Sequence, residues 1–164
     1  MRTLWRNGQI ATMVAGKYNL ITAGSLISEG SRLLWVGPDA ERPDLTVERE
    51  YDLAGKLVTP GLIDCHSHSV FGGDRSQEFA QRLNGASYAE IAASGGGIAS
   101  TVKATRAADE AQLFASARRR IEALRQDGVT SLEIKSGYGL SFNDERKMLR
   151  VIRQLNAALP LTVY

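Results

Sequence analysis

The second half of the chain alternates between short apolar runs and longer stretches whose apolar residues recur at helical spacing, and this alternation limits the possible folds most. Residues 109–126 and 143–159 show the helical spacing. Asp109 and Gln112 form a capping-box pattern at the start of the first of these helices. Apolar runs of strand length precede, separate and follow the two helices. A strand–helix–strand–helix–strand order predicts an α/β fold with parallel strands.

Shorter elements complete this part of the prediction. Three parallel strands suit either an open sheet or a closed (β/α)8 barrel, the TIM barrel, which needs about 250 residues. The first of the strands is apolar enough that we expect it to be buried. The predicted strands are the latter part of residues 57–66, residues 129–135 and residues 161–164, and the shorter helices are residues 76–83 and 88–93, followed by a glycine-rich loop at residues 95–97.

The residues before these elements indicate a small β-domain. Residues 25–28 and 32–36 are prone to form strands, and Gly30 lies in the short turn between them, which predicts a hairpin. After Lys56 the sequence changes from short strands and turns to alternating strands and helices. We therefore predict two domains, a small β-domain at residues 1–56 and an α/β domain at residues 57–164.

Composition and charge exclude several classes of protein. The 20 basic and 18 acidic side chains give a net charge of +2, which provides no basis for binding nucleic acid or an anionic membrane. No apolar run approaches the roughly 20 residues that span a bilayer, and no signal peptide is recognisable at the start. The single cysteine, Cys65, excludes an internal disulfide. We expect a reducing, cytoplasmic setting.

The sharpest local motif is His66-Ser67-His68 at the end of the first predicted strand. Residues two apart on a strand point to the same side, so both imidazoles can bind one divalent metal ion, at about 2.0–2.1 Å for zinc. The alternative is a pair of polar residues in a loop. Asp64 points to the same side as the histidines. Cys65 points to the opposite side and is expected to lie in the core.

The sequence around this motif resembles the metal-site strand of the amidohydrolase superfamily. The resemblance rests on residues 60–68, on the small β-domain before them and on residues 127–130, which lead into the next strand. Further stretches are similar to the imidazolonepropionase family in particular, in the family's order and approximate spacing. These stretches are residues 70–75, 82–88, 95–106 and 133–140.

This resemblance implies a partial (β/α)8 TIM barrel, about its first three strands, and the hydrolysis of 4-imidazolone-5-propanoate to N-formimino-L-glutamate in histidine breakdown. The family uses one zinc or iron ion, and two imidazoles suit either metal. His66 and His68 match the first two metal ligands of the family. The family's metal carboxylate comes from a later strand, so we expect Asp64 to be a structural hydrogen-bond acceptor and not a ligand. Arg75 and Tyr138 match substrate-binding residues, and Tyr88 is a further candidate for the substrate carboxylate. The family also implies a homodimer.

Each of these residues also has a plain structural explanation. Arg75 could be a solvated surface residue, and Tyr138 could pack on a neighbouring turn. Lys135 could suggest a metal-bridging or Schiff-base lysine, but the family site holds one metal, so we expect a role in structure or charge balance.

The chain lacks part of the predicted site. A catalytic zinc site usually has three protein ligands, and no histidine follows His68. We therefore expect the chain to be part of a longer protein and inactive alone, and we assign no catalytic residue within it. The alternatives are another amidohydrolase, such as a deaminase or a dihydroorotase-like cyclic amidase, or a non-catalytic interaction module.

Overall fold

The computed structural model describes all residues from Met1 to Tyr164. The chain divides into two compact units, Met1–Pro60 and Gly61–Tyr164. None of its helices combines the length and the apolar character needed to cross a membrane.

The first unit is a sheet of five strands. These are β1 (Arg2–Ala11), β2 (Leu20–Glu29), β3 (Arg32–Pro38), β4 (Arg49–Asp52) and β5 (Leu57–Val58), with 3-10 turns at Val14–Gly16 and Asp39–Glu41. Strand β1 pairs antiparallel with β2 and parallel with β4 and β5. The predicted hairpin is confirmed, since β2 and β3 pair antiparallel. In its turn Gly30 has a φ of 58°, which glycine adopts readily.

The border between the two units differs from the border that we predicted after Lys56. Leu57 and Val58 pair with Gln9 and Ile10 of β1, so they belong to the sheet of the first unit. The division into units therefore falls after Pro60.

The second unit alternates strands and helices. Its elements are β6 (Leu62–Ser67), α1 (Ser76–Leu83), α2 (Tyr88–Ala93), α3 (Ile98–Ala107), α4 (Glu110–Gln126), β7 (Val129–Ile134), α5 (Phe142–Ala158) and β8 (Thr162–Val163). The three strands form one sheet in the order β6-β7-β8, and both pairings are parallel. The predicted α/β organisation is therefore confirmed, whereas the closed barrel stays a prediction.

Helix α4 forms as its sequence predicts. The Asp109 side chain accepts a hydrogen bond from the backbone N–H of Gln112 at 2.8 Å, and the Gln112 side chain accepts one from the N–H of Asp109 at 3.0 Å. These reciprocal bonds satisfy two N–H groups that a helix start leaves without partners. The opposite end carries Arg125 in the last turn, which suits the helix dipole.

The core of the second unit lies between helices α4 and α5 and strands β7 and β8. Full burial of one large aliphatic side chain contributes about 1.5–3 kcal/mol, so this cluster supplies much of the stability of the unit. Its buried members are Val70, Leu113, Ala117, Ile121, Val129, Leu132, Ile134, Met148, Val151, Ile152, Leu155, Leu159 and Val163.

The prediction that the first strand of this unit is buried was wrong. In β6, Leu62 is 52% exposed and Ile63 is 72% exposed, and Cys65 is exposed instead of lying in the core. The reason is that β6 is an edge strand and contributes no residue to the core cluster, which α4 and α5 form over the other two strands.

Helix α3 was not predicted, because its buried side chains are Thr101, Val102 and Thr105, which give a weak helical signal. The glycine-rich loop before it ends at Gly97, which has a φ of 72°. The N–H of Gly97 donates to the Glu78 carboxylate at 2.8 Å, so a side chain of α1 caps the start of α3.

Candidate metal and substrate site

The two histidines lie at the carboxyl end of β6. Their ring centroids are 5.5 Å apart; His66 is exposed and His68 is half-buried. The backbone N–H of His66 donates to the Asp64 carboxylate at 3.1 Å. Asp64 thus bonds to the chain beside the histidines, in the structural role that the sequence predicted.

His68 carries a buried ring nitrogen, Nδ1, that has no hydrogen-bond partner. A buried polar atom without a partner costs about 1–3 kcal/mol, so such an atom calls for a ligand or another explanation. A metal ion fits this nitrogen and the neighbouring imidazole of His66 chemically. The chain brings no group of three or more His, Cys, Asp or Glu side chains together for a metal. It therefore offers two imidazole donors and no complete ligand set.

Tyr138 lies in the loop after β7, beside the histidines. Its ring centroid is 5.5 Å from that of His68 and 6.0 Å from that of Phe71, both edge-on. Such edge-to-face pairs are favourable for aromatic rings. Gly137 allows this approach, because a Cβ atom there would lie 3.3 Å from Cε1 of His68.

Arg75 and Tyr138 line one cavity of about 330 Å³ in the second unit. Arg75 precedes α1, and its Nε donates to the hydroxyl of Thr101 in α3 at 3.0 Å. The two substrate-binding residues that the sequence predicted at well-separated positions therefore meet at one place. The lining residues are Phe71, Gly73, Asp74, Arg75, Thr101, Arg120 and Tyr138.

The single acidic residue of the cavity lining is already engaged. The Asp74 carboxylate accepts hydrogen bonds from the hydroxyl and from the backbone N–H of Ser76. These bonds lower the pKa of Asp74 below its usual value, so it stays ionised at neutral pH. Because Asp74 is held at the start of α1 and pairs with no arginine, the guanidinium groups of the cavity remain available to an anion.

Glu133 and Lys135 form an ion pair on the strand next to the histidines, with Lys135 Nζ 2.6 Å from Glu133 Oε1. The hydrogen bond from Lys135 is the main cause that lowers the pKa of Glu133, and the charges of His66 and His68 act in the same direction. Lys135 thus balances charge as the sequence predicted, whereas Glu133 was not singled out.

Tyr88 lies apart from these residues. It is the first residue of α2, it is 68% exposed, and it does not line the cavity. Its role as a substrate contact stays a prediction.

Arg120 is the cavity residue that lies outside every stretch resembling the imidazolonepropionase family, among three successive arginines of α4. Thr101 lies in such a stretch, but the helix α3 that places it at the cavity was not predicted. Helical spacing carries a signal for Arg120, because it follows the buried Leu113 and Ala117 by seven and three positions and so borders the buried face.

Comparison with known proteins identifies close relatives of the chain. It is 60% identical over 163 residues to the imidazolonepropionase of Pseudomonas putida strain F1, and 58% identical to that of Pseudomonas aeruginosa. The chain resembles imidazolonepropionases along 99% of its length. It spans 41% of the length of the Pseudomonas putida imidazolonepropionase. The resemblance predicted from the sequence is confirmed, although no protein-family profile matches the chain.

Solved structures share the fold at low sequence identity. An ochratoxinase from A. niger has a TM-score of 0.62 at 22% identity and covers 99% of this chain, which in turn spans 30% of that protein. A zinc-complexed atrazine chlorohydrolase from Arthrobacter aurescens has a TM-score of 0.58 at 16% identity, with coverages of 98% and 34%. These likenesses support the amidohydrolase fold that the imidazolonepropionase resemblance implies.

Proposed function

We propose that the chain forms the first part of an imidazolonepropionase, which hydrolyses 4-imidazolone-5-propanoate to N-formimino-L-glutamate in histidine breakdown. The observation that carries this proposal is the meeting of His68, Tyr138 and Arg75, since Tyr138 contacts the His68 ring and shares a cavity with Arg75. The 60% identity to an imidazolonepropionase supports the same activity.

The barrel belongs to this proposal. We infer that β6, β7 and β8 are the first three strands of a (β/α)8 TIM barrel. The histidines lie at the carboxyl end of β6 and Tyr138 follows β7. Active sites of TIM barrels lie at the carboxyl ends of the strands, which supports this placement. The complete protein is proposed to be a cytoplasmic homodimer.

His66 and His68 would hold one zinc or iron ion, together with ligands from outside this chain. When bound, such an ion lowers the pKa of a coordinated water and makes it nucleophilic at neutral pH. The chain's own contribution is to orient the imidazoles: Asp64 bonds to the backbone of His66, and the Tyr138 ring packs edge-on against His68.

Arg75 and Tyr138 would bind the substrate. The Nε of Arg75 is engaged by Thr101, whereas its two terminal nitrogens have no protein acceptor. A guanidinium presents paired N–H groups that match a carboxylate, and the propanoate group of the substrate provides one.

The test uses the full-length gene product. We expect it to bind one zinc or iron ion and to consume 4-imidazolone-5-propanoate. The loss of this substrate is measured by absorbance. Replacing His68 by alanine should abolish both metal content and turnover, because the site would lose an imidazole ligand. Arg118→Gln, an exposed position of α4, is the matched control and should change neither.

Two outcomes would refute the proposal. The first is unchanged turnover after His66 and His68 are both replaced. The second is a protein that binds metal through these histidines and leaves 4-imidazolone-5-propanoate intact, which would favour another amidohydrolase activity.

A further inference from the structure

Arg120 reaches from α4 into the cavity that Arg75 and Tyr138 line. One terminal nitrogen, Nη1, donates to the carbonyl oxygens of Ser69 at 3.1 Å and Phe71 at 3.2 Å. Its guanidinium carbon lies 3.5 Å from the centroid of the Phe71 ring, which is cation–π geometry. These contacts fix the side chain at the cavity wall.

No carboxylate of the chain offsets the charge of Arg120. It forms no ion pair, and its Nε and Nη2 have no protein acceptor. Burial lowers the pKa of Arg120, and the neighbouring Arg119 acts in the same direction. The Nε and Nη2 of Arg120 can therefore donate to an anion that enters the cavity.

The cavity holds a second guanidinium and no free acid. Arg75 lines the same space, and Asp74 is occupied by Ser76. Two guanidiniums at one cavity, with the single carboxylate engaged elsewhere, match an anionic ligand rather than a neutral one.

We propose that Arg120 is a second carboxylate-binding residue, which acts with Arg75 on the propanoate end of the substrate. This inference rests on the proposed function for the identity of the substrate, and on the cavity itself for the carboxylate. Arg120 thereby sets the preference for substrates that carry an acid on the ring side chain.

The experiment compares two ligands on the full-length gene product by calorimetry. The first, 3-(imidazol-4-yl)propanoate, has a ring and a carboxylate, and the second, 4-methylimidazole, has the ring alone. We expect Arg120→Gln to weaken binding of the first about tenfold, which corresponds to about 1.4 kcal/mol, and to leave the second unchanged. Arg118→Gln on the same helix should affect neither ligand.

A purely structural role of Arg120 gives a different result. Equal loss of affinity for both ligands, or no loss for either, would overturn the proposal. If Arg120→Gln does not fold, NMR of the wild-type protein with 15N-labelled arginine provides the test. The Nε–H signal of Arg120, assigned with Arg120→Lys, should shift on addition of propanoate; a response of Arg75 alone would overturn the proposal.

Failure of the proposed function has its own signature. The wild-type protein could fail to hydrolyse 4-imidazolone-5-propanoate and still bind the imidazolylpropanoate in an Arg120-dependent way. That result would support the carboxylate site and refute the proposed substrate.

Discussion

The absence of a side chain at Gly137 lets the loop after β7 approach His68 closely. Gly137 has a φ of 142°, and an added Cβ atom would lie 3.3 Å from Cε1 of His68 and 3.6 Å from its Nδ1. The first distance is tighter than most Cβ contacts, so the His68 ring would have to shift by a few tenths of an ångström. The glycine therefore bears on the position of the imidazole as well as on the backbone of its own loop.

We expect Gly137→Ala to displace the His68 ring and to weaken metal binding about tenfold, measured by metal titration of the full-length product. Gly85→Ala is the matched control, because Gly85 also has a positive φ, of 93°, but has nothing within 4 Å of an added Cβ. It should lower the thermal midpoint through strain alone and leave metal affinity unchanged. Equal metal affinity in both variants would contradict the role of the contact.

The place of Arg120 in the cavity could not be predicted from the sequence. A short motif predicts the histidines, and the family resemblance of residues 70–75 predicts Arg75. Arg120 joins them only because α4 packs beside the loop after β6, which places its guanidinium on two carbonyl oxygens of that loop. Helical periodicity indicates that Arg120 borders the buried face of α4, but not which groups its side chain contacts.

At the level of elements, the loop between β7 and α5 is held from both sides. Glu145 of α5 accepts hydrogen bonds at 2.8 Å from the N–H groups of Gly139 and Leu140. Arg106 of α3 donates to the carbonyl oxygens of the same two residues at 2.6 and 3.1 Å. Since this loop carries Tyr138, the two helices position a residue that we propose to bind substrate and that neither helix contains.

Glu145 should make the stability of this loop depend on pH. Burial would raise the pKa of Glu145, but hydrogen bonds to its carboxylate, among them those from the N–H groups of Leu140 and Gly139, outweigh burial and lower the pKa. A lowered folded-state pKa contributes stability that is present above the ordinary glutamate pKa, 4.5, and lost as the pH falls through the folded value.

We expect Glu145→Gln to unfold more easily in urea than wild type at pH 7, with a smaller difference at pH 3. Glu41→Gln, an exposed residue with no hydrogen bond from its side chain, should show no such difference. A stability gap that does not depend on pH would show that the carboxylate charge is not the cause.

Elements differ in how well local sequence determines them. The capping box of Asp109 and Gln112 and the apolar spacing of α4 are local, and this helix was predicted correctly. Helix α3 depends on a distant carboxylate, that of Glu78, and on buried threonines, so local patterns missed it. The exposure of β6 depends on which strands the helices cover, which no residue of β6 encodes.

At the scale of the whole molecule, the second sheet is open at both of its edge strands, β6 and β8. Strand β6 has one neighbour, and its Leu62 and Ile63 are largely exposed. Unpaired strand edges with apolar side chains promote association between chains.

We expect the 164-residue chain to self-associate in analytical ultracentrifugation, and to hydrolyse no 4-imidazolone-5-propanoate above a metal-only blank. Ile63→Lys should shift the chain toward monomer, because a charged edge residue opposes strand pairing. Leu149→Lys, at a position of α5 that is 53% exposed, is the control. A monomeric wild-type chain would contradict the edge argument.

The placement of the histidines has a spectroscopic consequence. This chain contains two histidines, and both belong to the candidate site. The ring of His68 stands edge-on to two other aromatic rings, those of His66 and Tyr138, whose ring currents displace its proton resonances. Every imidazole signal in the NMR spectrum of this chain therefore reports on the site, without labels or engineered probes.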